Sequence, residues 1–240
     1  IITEANPLPV KSMTGSVVSD VSARWSDDFG GNALDTTKWD VEVNTGSMTY
    51  SVASSALSVV MGTTANAELR LLSKQVFTIP FDVSVILQMS ARIANNSVFL
   101  EALEVDGTGT PIANDNKAGD WRNRASILLD GTSSTTGKLE TVGEAASVAL
   151  SQSGVITTTS SAVALGMELR AFDIQMLSWA PDTAAARNAT ITLNSSEVPD
   201  PNKSYKLRLR FLNGASAPAS STTVTIKRVY VQDATEMSGE

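Results

Sequence analysis

The chain has 240 residues, a formal net charge of −7, and neither cysteine nor histidine. The missing histidine removes Ser-His-Asp and Cys-His nucleophiles and the commonest zinc ligand, and the missing cysteine removes disulfides and thiolate chemistry. The acidic balance argues against affinity for phosphate backbones or anionic lipid, and no run approaches the roughly 18 apolar residues of a membrane span, so neither nucleic acid nor membrane insertion is expected. An apolar fraction of 42% suits a globular domain, while the 18% of charged residues is low. Ser, Thr, Asn and Gln supply the remaining polarity, as suits exposed strand faces and turns.

Residues 1–24 read as an extended N-terminal arm. The prolines of Asn6-Pro7-Leu8-Pro9-Val10 hold the backbone extended, and the Ser, Gly and Thr that follow show no periodicity. Two readings stand: a loose terminus, or an anchor across a neighbouring subunit with Pro7, Leu8, Pro9 and Val10 at the interface. Residues 25–240 read as one domain of strands. Lys38 to Val43 alternates polar and apolar, Phe81 to Ala91 sends Phe81, Val83, Val85, Leu87 and Met89 to one side, and Tyr205 to Phe211 alternates without a break. Val163 to Trp179 reads as two successive strands, with a helix over Ala162 to Ala171 as the alternative that periodicity leaves open. After Val224 and Ile226 the apolar phase slips to Val229 and Val231, which predicts a β-bulge near Lys227-Arg228. Turn chemistry at Gly30-Gly31-Asn32, Asp106-Gly107, Asp130-Gly131 and Asn213-Gly214 separates the runs. Many short strands without interleaved helices predict an all-β antiparallel sandwich or jelly roll.

Trp25-Ser26-Asp27-Asp28-Phe29, followed by Gly31-Asn32-Ala33-Leu34-Asp35-Thr36-Thr37-Lys38-Trp39, resembles the opening of concanavalin A-like domains, a pattern shared by laminarinase-type glycosidases and laminin-G-like modules. A narrower set resembles a family of virion structural proteins of tailed bacteriophages with a jelly-roll domain. It comprises Met61 to Asn66, Ser73 to Gln75, Phe77 to Phe81, Arg92 to Asn96 and Tyr205 to Asp233, together with the Pro-Val-rich arm. The stretch from about 110 to 160 carries the least resemblance.

Enzymes of the concanavalin A-like fold carry carboxylates on one strand as Glu-x-Asp-x-Glu or Glu-x-Asp-x-x-Glu, and period 2 aims alternate side chains into the same cleft. Glu104-Val105-Asp106 starts that pattern, but Thr108 and Gly109 stand where the second Glu belongs. Glu101, three residues before Glu104, falls on the opposite face of a regular strand. Without an acid/base partner no hydrolase activity is expected, and Glu104 and Asp106 read as a solvated strand end.

Three other constellations stand out. Asp28 and Asp233, with Asp27, resemble the calcium site that concanavalin A-like domains place where their terminal strands meet, which implies a structural calcium ion; surface charge and turn capping are the alternative. Trp121, Arg122 and Arg124 form a candidate ligand site, since indole offers a stacking face and guanidinium five donors to sugar hydroxyls. A core Trp with solvated arginines, or a subunit contact, are the other readings. Lys206, Arg208 and Arg210 line one strand face as a cationic ladder, either an interface for an acidic neighbour or a solvated outer face.

Resemblance and the broken acid pair together imply a non-enzymatic virion structural protein: a capsid decoration, fibre or tail-associated jelly roll assembled in the bacterial host cytoplasm. It would be a homo-oligomer repeated by particle symmetry, contacting other capsid or tail proteins and possible host-surface glycans. A carbohydrate-binding module acting as a receptor-binding domain is the alternative, and a glucan hydrolase with displaced carboxylates is the third reading.

Overall fold

A strand whose alternate residues are apolar can bury one face and wet the other, and two sheets so built close on each other. The computed structural model describes residues 23–115, 120–131, 136–144, 150–155, 162–170, 173–180, 183–192 and 198–233, and among them it contains strands and no helix. The strands are β1 (Ala23–Asp27), β2 (Trp39–Thr45), β3 (Thr49–Ala53), β4 (Ala56–Val60), β5 (Glu68–Ser73), β6 (Phe77–Thr78), β7 (Phe81–Met89) and β8 (Asn96–Val105). They continue as β9 (Arg124–Asp130), β10 (Thr136–Val142), β11 (Leu150–Val155), β12 (Val163–Leu169), β13 (Asp173–Ala180), β14 (Thr183–Thr192), β15 (Ser204–Asn213) and β16 (Thr223–Asp233). Pro7, Leu8, Pro9 and Val10 lie outside the described residues.

Two antiparallel sheets form the expected jelly-roll sandwich. The first runs β14-β13-β12-β7-β16-β4-β3, with β1 also on β16, and the second runs β11-β10-β9-β8-β15-β5-β2, with β6 also on β15. Strand β16 pairs with β7 along one side, and on the other with β4 through Thr223–Ile226 and with β1 through Val229–Gln232. The expected bulge separates these two halves, between Ile226 and Arg228. The stretch Val163 to Trp179 forms the antiparallel strands β12 and β13, so the helical alternative is set aside. Tyr205, Leu207, Leu209 and Phe211 are buried in the shared core, as period 2 requires.

The Asp-Phe and Trp pattern folds into one cluster. Trp39 is 1% exposed, stacks on Phe29 at 6.4 Å and meets Trp25 edge-on at 5.3 Å. Its indole Nε1 donates to Asp27 Oδ2 at 2.7 Å, while Asp27 Oδ1 accepts the Phe29 amide at 3.0 Å. A buried carboxylate is thereby satisfied by donors from its own segment and from β2.

One end of the sandwich is held by neutral hydrogen bonds. Asn96 and Asn213 face each other across β8 and β15; Asn96 Nδ2 donates to Asn213 Oδ1 at 2.6 Å, and Asn213 Nδ2 donates to the Met61 and Thr64 carbonyls. The Asn96 carbonyl accepts the Gly131 amide at 2.8 Å. A Cβ at Gly131 would stand 1.7 Å from the Ile93 oxygen, so only glycine fits that crossing.

On the outer face of the first sheet, Asp82 and Glu168 are direct cross-strand neighbours beside a notch of about 80 Å³ lined also by Ser84, Gly166, Met167, Tyr230 and Gln232. Burial, then the charge of Glu168, pushes the Asp82 carboxyl up from 3.8 to about 6. The folded state holds that proton more tightly than the unfolded chain, so Asp82 favours folding at low pH and withdraws that support as pH rises through about 6. The Asp82→Asn variant is expected to melt progressively higher than the parent between pH 4 and pH 7, and a constant difference would exclude this origin. Replacing Trp39 by Phe leaves Asp27 Oδ2 without its indole donor. We expect a loss of about 2–4 kcal/mol, measured as a lower urea midpoint at unchanged slope.

Candidate active site on the outer face of the second sheet

Strand β8 is central among the seven strands of the second sheet's main path. Val98, Leu100 and Ala102 join the core, so the pleat turns Phe99, Glu101 and Leu103 to the outer face. Register then sets a row across the sheet: Glu101 lies between Arg208 of β15 and Ser126 of β9, and Ser126 lies opposite Glu140 of β10. One rung along, Phe99 faces Arg210, which faces Arg70 of β5.

The pair at the centre of this layer is closed off from water. Glu101 and Arg208 both have 0% exposure, and Arg208 Nε donates to Glu101 Oε2 at 2.6 Å. Arg208 Nη1 and Nη2 and Glu101 Oε1 have no hydrogen-bond partner, a cost of roughly 1–3 kcal/mol per buried group. Trp121 lies over the guanidinium, with its ring 4.7 Å from Arg208 and 5.9 Å from Arg70, the distance range of cation–π attraction. Glu42, on β2 at a register shift between Val41 and Val43, brings its carboxylate to 3.9 Å from Arg208 Nη1. Burial raises the Glu42 carboxyl above its ordinary range, and the charge of Glu101 adds to this while Arg208, Arg70 and Lys206 oppose it. The other guanidiniums are occupied: Glu68 takes Arg70 at 2.8 Å and Arg210 at 2.6 Å, and Arg124 binds Asp120, Ser126 and Glu140.

The residues singled out from sequence divide accordingly. Trp121 stands on this face, and Arg124 braces it from beneath, 5% exposed. Arg122 turns away, its Nε and Nη2 each 2.8 Å from the two oxygens of Glu104. The three residues therefore do not form one ligand site. The ladder of Lys206, Arg208 and Arg210 is not uniformly solvated: Arg208 is fully buried and Arg210 is held by Glu68, because the facing strands supply carboxylates. Asp28 and Asp233 are not brought together. Asp27 pairs with Val229 in the β1–β16 register, so Asp28 and Asp233 lie about five rungs apart, roughly 16 Å at the strand rise. Asp28 caps its own turn through the Gly30 amide at 3.1 Å, and among the described residues no group of three carboxylates could hold a metal ion.

Glu104 is not a solvated strand end. It is 3% exposed, and besides Arg122 it accepts Asn123 Nδ2 at 2.6 Å. Lys203 approaches Glu104, Glu144 and Asp200, each at 4.0 Å, and Arg122 also reaches Glu144 at 3.2 Å. Asp106 behaves as expected of an Asp-Gly turn, accepting the amides of Thr108 at 2.8 Å and Thr110 at 2.9 Å.

No family model matches the sequence, and the search of curated proteins returns no match. Solved structures do share the fold. LamA of Zobellia galactanivorans, in complex with laminaritriose and laminaritetraose, is similar over 88% of this chain and 99% of its own, with TM-score 0.64 and 17% identity. The endo-β-1,3-glucanase of Pyrococcus furiosus is similar over 88% and 94%, with TM-score 0.65 and 12% identity. A Mycobacterium tuberculosis antigen described as a pseudo β-1,3-glucanase is similar over 89% and 99%, with TM-score 0.61 and 12% identity. At such identities the likeness establishes the fold, the concanavalin A-like jelly roll.

These comparisons correct the expectation of a non-enzymatic virion structural protein. Several of the structures that share the fold are β-1,3-glucanases or laminarinases, similar over 88% of this chain, and nothing found indicates a phage particle. The expectation rested on Glu104 and Asp106, whereas the acid on the outer face of the central strand β8 is Glu101. Glu104, bound on both oxygens, is a fastening rather than a reactive group. The Glu104→Gln variant is expected to lower stability by about 1–3 kcal/mol, and a denaturation midpoint equal to the parent's would contradict that role.

Proposed function

We propose that this chain is a glycoside hydrolase acting on a β-linked glucan, with the outer face of the second sheet as its glycan surface. The observation that carries the reading is the state of Glu101, a carboxylate at the centre of that face with one oxygen tethered by Arg208 and the other unpartnered. Tethering fixes the carboxylate's direction, and the remaining oxygen keeps a lone pair for an anomeric carbon. The solved glucanases of the same fold support the reading by analogy of architecture.

Substrate reaches Glu101 when the Trp121 indole lifts from Arg208. A sugar ring stacking on the indole and hydroxyls taken up by Arg208 Nη1 and Nη2 replace what that movement breaks, since a hydroxyl both donates and accepts. Leu103 and Val105 follow Glu101 at two and four residues, and both are buried and apolar. The second carboxylate of the reaction therefore comes from another strand.

Incubation of the protein with laminarin, a β-1,3-glucan, is expected to release reducing sugar. Glu101→Gln is expected to lower the rate by roughly 100-fold or more, with circular dichroism confirming that the variant keeps its strands. Binding of laminarin oligosaccharides without any cleavage by the parent protein would overturn the assignment.

A further inference from the structure

We propose that Glu42 is the proton donor that works opposite Glu101, an assignment that rests on the hydrolase reading above. Hydrolysis of a glycosidic bond needs two carboxyl groups in different states, one ionised and one holding a proton. Among the described residues four acids approach the site: Glu42, Glu68, Asp120 and Glu140, of which Asp120 takes Arg124 Nε at 2.8 Å and Nη2 at 3.2 Å. Glu68 is consumed by Arg70 and Arg210, and these partners hold its carboxyl below the ordinary range against the effect of burial. Glu140 accepts both Nη1 and Nη2 of Arg124, at 3.3 and 3.4 Å.

Glu42 differs in position and in partners. It occupies the irregularity in β2 between Val41 and Val43, and such irregularities re-aim a side chain next to active sites. Its carboxylate stands on one side of the Arg208 guanidinium at 3.9 Å, with Glu101 on the other at 2.6 Å. Its side chain is 21% exposed, open enough to exchange a proton with water after each turnover. The charged groups facing it are Arg208 and Lys206 of β15, Arg70 of β5 and Glu101 of β8; Asp40 on its own strand is taken up by Lys74 at 3.2 Å. Burial outweighs the three cations, and the carboxyl holds its proton to higher pH than an ordinary glutamate.

In a double displacement the two acids would divide the work. Protonated Glu42 gives its proton to the glycosidic oxygen as the bond from C1 breaks with its electron pair on that oxygen, and Glu101 Oε1 bonds to C1. A water molecule then bonds to C1 and gives a proton to the Glu42 carboxylate, while the bond from C1 to Oε1 breaks and returns its electrons to Glu101. One glycosidic bond and one water become two hydroxyl groups, and both acids regain their starting states.

The test compares laminarin with a dinitrophenyl β-glucoside of laminaribiose, whose leaving group departs without protonation. Glu42→Gln is expected to lose about 100-fold in kcat/KM on laminarin and less than 10-fold in kcat/KM on the aryl glycoside, with the alkaline limb of the pH–rate profile abolished. Its melting temperature is expected to match the parent's. Equal cleavage of laminarin by parent and Glu42→Gln overturns the assignment while leaving the hydrolase reading intact, and so does the same leaving-group pattern in Glu140→Gln instead. A parent protein inert toward both substrates overturns both.

Discussion

Arg208 meets Glu101 at 2.6 Å with neither side chain exposed, on a face that an antiparallel sheet normally gives to water. Stripping two charges of solvent is costly and is compensated only by close geometry and further hydrogen bonds. Here the geometry is close but the further bonds are incomplete. The layer persists because its neighbours interlock: Trp121 caps Arg208, Arg124 holds the Asp120 end of the covering loop, and Glu68 ties Arg70 to Arg210. The jelly roll thus has an apolar core between its sheets and a second, ionic packing layer outside one of them.

Much of the architecture was legible in the sequence. Period 2 located β7, β15 and β16, and the slip after Ile226 located the bulge, because each signal is local to the strand that carries it. The Asp27, Phe29 and Trp39 pattern likewise spans only a dozen residues. The candidate site was not legible in the same way. Glu101 and Arg208 are 107 residues apart, and Glu42 is farther still from Arg208. Nothing in a strand's own alternation tells whether its polar face will be wetted or roofed. The available signal was phase: Glu101 alternates with Leu100 and Ala102, and Arg208 with Leu207 and Leu209, so both belong to outward faces. Glu104 shares the phase of Leu100 and Ala102, so the carboxylate pattern expected around it points away from the face that holds Glu101. Trp121 takes Arg208 and Arg70 from other strands as its arginine partners rather than its sequence neighbours.

Fold and chemistry separate clearly in this molecule. The sandwich is shared with glucanases at 11–17% identity, while two and four residues after Glu101 on the same face of β8 stand the apolar Leu103 and Val105. The groups nearest Glu101 come instead from neighbouring strands, and the contacts that position Glu101 also bury it.

The two ends of the β8–β15 pair, nine residues and roughly 30 Å apart at the strand rise, are built on opposite chemistry. At the Asn96 end the fastenings are mainly amides and carbonyls, joined by the Arg92 guanidinium, whose Nη2 donates to the Asp130 carbonyl at 2.6 Å. At the Glu104 end they are ion pairs through Arg122, Lys203 and Glu144, with side chains 25%, 33% and 49% exposed, within reach of counterions over a Debye length of about 8 Å. The fastenings therefore differ in kind along the strands, and the ion pairs at the Glu104 end are the ones whose outer partners counterions can reach.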